Sequence, residues 1–162
     1  MDSFFVRTMN QENDTISTTV EEVPTPQGFL FAHQSSWQKR LLNLYGQELC
    51  LLDATYCTSK YDLPLFFICV QTNTGYAICG SFITANESKD CIEEALGIIK
   101  GWNPEWHPTH FLTDFDEREI SAVESVFPEC LVYLCHFHIE QAWDRWLSNK
   151  DNGASNYKEE IK

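Results

Sequence analysis

Apolar residues in this chain gather in short runs separated by polar punctuation. The run Leu49-Cys50-Leu51-Leu52 closes on Asp53, and 49–55 reads as a short buried strand. The tract 65–72 is rich in Phe, Ile and Val. The turn signal Asn73-Thr74-Gly75 follows it, then Tyr76–Thr84, so the two tracts predict a hairpin. Ser88 opens a helix that places Ile92, Ala95, Leu96, Ile99 and Trp102 on one face. His110–Asp114 is a further strand that closes on an aspartate. Asp116 then stands as an N-cap with Glu119 three positions on, as in a capping box. The helix behind it shows Ile120, Val123, Val126 and Phe127 before Pro128 ends it. Leu131–Cys135 is the last strand. The final helix carries Ile139, Ala142, Trp143 and Trp146 at i, i+3, i+4 and i+7, a stripe that reads as core.

The flanks are less ordered by pattern. Residues 1–28 are polar and acidic and end in Pro24-Thr25-Pro26-Gln27-Gly28, which predicts an acidic flexible tail. Phe29–Ala32 is a short strand. Ser35 or Ser36 caps a helix with Trp37, Leu41, Leu44 and Tyr45 as its apolar positions, and Gly46 stops it. From 148 to 162 the chain is again polar. The pattern therefore predicts one α/β domain over 29–147. Its strand, hairpin and alternating helices and strands (β-β-β-α-β-α-β) give a mixed sheet with flanking helices.

Composition agrees with a packed body: 43% of the 162 residues are hydrophobic and 14% are aromatic. No run is apolar enough to span a membrane, and the first residues lack a basic stretch followed by an apolar one. A cytoplasmic or nuclear protein, not a secreted one, is expected. The seven cysteines are odd in number, and Cys50, Cys69, Cys79 and Cys135 lie in or beside apolar runs. They are read as reduced thiols, mostly small buried hydrophobes.

Charge changes the picture of partners. The net charge is −13, and residues 47–146 carry sixteen acids against five bases. Binding to a polyanion draws on Lys and Arg to neutralise phosphates, so a simple nucleic-acid binder is disfavoured. Lys39, Arg40, Lys60, Arg118 and Arg145 are too sparse for a basic patch.

The candidate chemistry lies at strand ends. Asp53 and Asp114 each close an apolar strand, where open α/β sheets place their ligands. Two carboxylates at neighbouring strand ends hold a divalent metal for phosphoryl chemistry, or else each hydrogen-bonds loop amides. Asp116 competes with Asp114 but is better explained as the helix cap. Cys135 and His138, in Cys135-His136-Phe137-His138, stand three apart on a strand-to-helix turn. They either share a zinc ion or form a buried thiol beside imidazoles; no second pair completes a four-ligand zinc site. Trp102, Trp106, Trp143 and Trp146 are the residues that would stack on bases, with core the favoured reading for the last two. A Gly-rich phosphate loop and a G-x-S-x-G elbow are absent from the sequence.

Taken together, these motifs resemble the catalytic domain of Mutator-like element (MULE) transposases. The resemblance rests on Leu52-Asp53-Ala54-Thr55-Tyr56, Leu63-Pro64-Leu65 and Phe111-Leu112-Thr113-Asp114. It continues through Val126-Phe127-Pro128 and Cys135-His136-Phe137-His138-Ile139-Glu140-Gln141-Ala142-Trp143. Animal members of the family share the aspartate strand, the Asn103-Pro104-Glu105-Trp106 loop and the C-x-x-H stretch. The resemblance implies an RNase H-like fold and a DDE-type active site with Mg²⁺ or Mn²⁺ as cofactor. It implies nuclear action on DNA at transposon ends, and Asp53 and Asp114 as first and second catalytic, metal-binding acids. The family's third acid is a glutamate on a later helix beyond a large insertion. The chain ends at Lys162 before such a helix, and Glu140 is a poor substitute, so the catalytic set is expected to be incomplete. Two functions follow: a fragment or domesticated derivative of a DNA transposase, or a non-catalytic module that keeps the fold to bind protein or DNA. A sheet lacking its closing helix is also expected to self-associate.

Overall fold

The computed structural model describes residues 1–8, 28–55 and 60–149. Among them, seven strands form one mixed sheet and four helices flank it. In chain order the elements are β1 (Ser3–Arg7), β2 (Leu30–Gln34), α1 (Ser36–Tyr45), β3 (Leu49–Thr55), β4 (Leu65–Thr72) and β5 (Gly75–Thr84). They continue with α2 (Lys89–Trp102), β6 (His110–Thr113), α3 (Glu117–Val126), β7 (Leu131–Leu134) and α4 (His136–Ser148).

The sheet order is β1-β2-β5-β4-β3-β6-β7. From β1 to β3 every neighbouring pair is antiparallel, whereas β3–β6 and β6–β7 are parallel. Both parallel steps require crossovers, and α2 and α3 supply them. The carboxyl ends of β3, β6 and β7 therefore all leave the same edge of the sheet.

Local chemistry explains the elements. Ser35 caps α1 in a reciprocal box with Gln38. The Ser88 hydroxyl accepts the Cys91 amide at the start of α2. Asn73 and Thr74 form the two-residue turn of the β4–β5 hairpin, and Gly75 follows at φ +131, where a side chain would be strained.

One face of the sheet builds the core. Leu30, Cys50, Leu52, Phe66, Ile68, Val70 and Phe82 pack there against Leu42 of α1, Ile92, Leu96 and Ile99 of α2, and Val123 of α3. The opposite face, with Leu49, Leu51, Phe67, Cys69 and Leu112, is only half-buried. The loop after α2 locks the core to the first helix. The Asn103 amide donates to Gln34 Oε1 and to the Ile99 carbonyl, both at 2.7 Å, and Gln34 donates onward to the Cys79 carbonyl. Trp106 is fully buried against Phe111 and Phe127 and donates to the Gly46 carbonyl at 3.1 Å.

Several expectations change. Residues 3–7 form β1 instead of belonging to a tail, because β2 offers them an antiparallel partner and the Arg7 guanidinium reaches the Gly28 carbonyl and Glu94. The rest of that tail, and the tail after 149, lie outside the described residues. On α1 the chain buries Leu42 and leaves Trp37 and Leu44 exposed, so the helix docks on a face rotated from the expected one. Trp143 and Trp146 of α4 are 65% and 57% exposed, not core. Trp106 is core and so unavailable for base stacking.

Candidate metal centre

Two of the three parallel strands, β3 and β6, each bring a carboxylate to the shared edge. The β3–β6 register runs through Leu51 opposite Leu112, so two residues on Asp53 comes opposite Asp114. Asp53 occupies the half-buried face, on the other side of β3 from Leu52. The third group comes from α4. Its N-cap Cys135 donates its backbone N–H to the Thr113 carbonyl at 2.8 Å, which ties the start of α4 to the end of β6. Helical side chains lean toward the helix N-terminus, and His138 in the first turn points back at the sheet edge.

The result is a compact cluster. One ligand atom each from Asp53, Asp114 and His138 lies within 4.8 Å of the other two. His138 Nε2 is 3.9 Å from Asp53 Oδ1, and its Nδ1 is in direct contact with Asp114 Oδ1. Asp114 and His138 side chains are each 24% exposed, whereas that of Asp53 is 51% exposed and forms the solvent side. Burial raises the Asp114 carboxyl above its usual value; the His138 imidazole opposes that, and the Asp53 and Asp116 charges add to it. Asp114 Oδ1 and His138 Nδ1 are both buried and face each other directly. Two carboxylates and an imidazole facing one another suit a divalent cation.

The other candidates fall elsewhere. Asp116 is occupied: Oδ1 accepts the Arg118 amide at 2.8 Å as the helix cap, and the carboxylate pairs with the Arg118 guanidinium. That guanidinium also holds Glu87 at 2.7 Å. Cys135 does not join His138 in a ligand group among the described residues. Glu140 is exposed and faces His136 at 3.7 Å, away from the centre. Burial pushes the thiols of Cys50 and Cys79 up to about 12 and those of Cys69 and Cys130 to about 11, which disfavours the reactive thiolate. Cys57 lies outside the described residues.

One acid departs from the position its place in the chain predicts. Glu119, expected in a capping box, is turned inward and is 2% exposed. Burial, then the Asp114 and Asp116 charges, push its carboxyl up to about 8, and the Asp114 amide bonds to it. Its Oε2 has no partner among the described residues. The signal was available: Glu119, Ala122 and Val123 share the i, i+3, i+4 spacing that buries the latter two.

The profile of the MULE transposase domain matches residues 49–142, from the start of β3 into α4. The chain belongs to the MULE transposase domain family. The match takes in all three residues of the cluster and every parallel strand. A MULE transposase domain implies a role of the transposase kind, with divalent metal dependence and DNA as the general family expectation. No curated protein matches the chain. No helix among the described residues is long and apolar enough to cross a membrane.

Proposed function

We propose that this MULE domain is a derivative of an RNase H-like, DDE-type DNA transposase that acts in the nucleus, with Asp53 and Asp114 as its first two acids. The observation that carries this reading is the convergence of both carboxylates on one edge at the ends of adjacent parallel strands. Asp53 and Asp114 would hold Mg²⁺ or Mn²⁺ between them. A bound divalent ion supplies Lewis-acid stabilisation of charge on phosphoryl oxygens. Asp114 is the inner anchor, fixed by the turn into α3. Asp53 is the outer one, on the side that a phosphodiester approaches from solvent. The occupied Asp116 stays clear of the site through its pairing with Arg118.

A second reading is favoured by the charge. A chain at net −13, with Arg7 and Arg118 engaged by Glu94, Asp116 and Glu87, offers little to a phosphate backbone. It describes a non-catalytic module that retains the transposase fold for protein or DNA binding. Calorimetry with Mn²⁺ separates the two. The metal reading expects binding heat in the wild type that Asp53→Asn and Asp114→Asn each abolish. No heat in the folded wild type would sink it. Cleavage of duplex DNA in Mn²⁺ that either substitution removes would overturn the non-catalytic reading.

A further inference from the structure

We propose that His138 is the third protein ligand of this centre, and that the resulting carboxylate–carboxylate–imidazole set takes Mn²⁺ ahead of Mg²⁺. The inference rests on Asp53 and Asp114 holding a divalent cation, and it names the partner that the two carboxylates lack.

Three observations carry it. The first is placement. His138 is drawn to the edge by the fold itself, since the Cys135 amide is bonded to the Thr113 carbonyl one residue before Asp114. The start of α4 cannot move away without breaking that link. The second is distance. A first-row divalent ion sits about 2.0–2.2 Å from oxygen and nitrogen ligands, so its ligand atoms stand roughly 3–4.3 Å from one another. The three ligand atoms already lie within 4.8 Å, so small side-chain rotations suffice. The third is convergence. Asp114 Oδ1 and His138 Nδ1 are both buried and in direct contact, and the other imidazole nitrogen faces Asp53, so the ring already stands between the two carboxylates.

The competing account makes His138 an imidazolium that neutralises the two aspartates. It predicts the opposite response, because a built-in cation competes with a metal. The donor set also decides the metal class. Mg²⁺ wants oxygen ligands in a near-ideal octahedron, whereas Mn²⁺ shares its preference for carboxylates but, as a first-row transition ion, accepts an imidazole nitrogen more readily. Two carboxylates with a neutral imidazole also balance a divalent charge.

The test is Mn²⁺ binding to the full chain, followed by calorimetry and by pulsed electron paramagnetic resonance, which detects nitrogen bound to the ion. The expected result is one Mn²⁺ per chain with ligand nitrogen modulation in the wild type. His138→Ala and His138→Gln should each weaken Mn²⁺ about tenfold or more and remove that modulation. Mg²⁺ should displace Mn²⁺ only in large excess. The wild-type spectrum decides even if a variant fails to fold. If Mn²⁺ binds and needs Asp53 and Asp114 but shows no nitrogen, His138 is not a ligand and the two-aspartate reading survives. Tighter Mn²⁺ binding in His138→Ala would make His138 a counter-ion and overturn the inference in the same way. No Mn²⁺ binding to the folded wild type would overturn both.

Discussion

Asp53 and Asp114 could be read from the chain because a carboxylate that closes an apolar strand stands out against its neighbours. Their meeting depends on β3 and β6 pairing in parallel, which the order of strands and helices anticipates. His138 was recognisable only as half of a C-x-x-H stretch. Its separation from Cys135 follows from helix geometry: Cys135 is the cap, whereas His138 leans back to the acids. Glu119 shows what a pattern of types conceals, because a charged residue on a buried stripe reads as a surface residue. Its burial has a pH consequence. With the folded carboxyl at about 8 against 4.5 when free, the folded chain keeps a proton between those values that the unfolded chain releases. Stability therefore falls as pH rises through that window, by on the order of a few kcal/mol in all. Glu119→Gln removes the titration. Thermal unfolding of the metal-free protein should show wild type falling behind the variant as pH climbs from 4.5 past 8. An offset that stays constant with pH would contradict the assignment.

At the scale of elements, the hairpin, α2 and the parallel strands followed from periodicity and caps, because their apolar faces are set by near neighbours in sequence. β1 did not, since a five-residue strand gains its meaning only from its pairing with β2 across more than twenty residues. The loop 103–106 is the element with the clearest structural duty. Asn103 joins α2 to β2 through Gln34, and Trp106 joins β6 to α1 through the Gly46 carbonyl. Trp106→Ala should cost about 3–5 kcal/mol by removing a fully buried ring. Asn103→Ala should cost roughly 1–3 kcal/mol by leaving Gln34 Oε1 unpaired in the core. Urea unfolding measures both. Wild-type midpoints in either variant would show that the loop is not the lock described above.

For the molecule as a whole, the apolar surface is unevenly covered. Core packing lies on one face of the sheet, while β7 exposes Leu131 and Tyr133 at its open edge. Beside that edge is a groove of about 690 Å³ between Phe115, Leu134, Ile139, Trp143, Trp146 and Leu147. An amphipathic stripe in a sequence identifies a face but not whether anything covers it, which is why Trp143 and Trp146 read as core. An exposed apolar groove next to a strand edge that is unpaired among the described residues promotes association. Sedimentation velocity should show concentration-dependent self-association that Trp143→Gln with Trp146→Gln reduces. A wild type that stays monomeric at all concentrations would count against it. The strong negative charge opposes both this association and DNA binding, so higher salt should strengthen the first.

The central claim is that one edge of the sheet, where β3, β6 and β7 end, is a divalent-cation centre of a MULE transposase domain. Crystals soaked in Mn²⁺ and measured for anomalous scattering test it most directly. One strong peak is expected within coordination distance of Asp53 and Asp114, with His138 completing its protein ligands. A well-ordered crystal with no peak at that edge, or with Mn²⁺ bound only elsewhere, would contradict it.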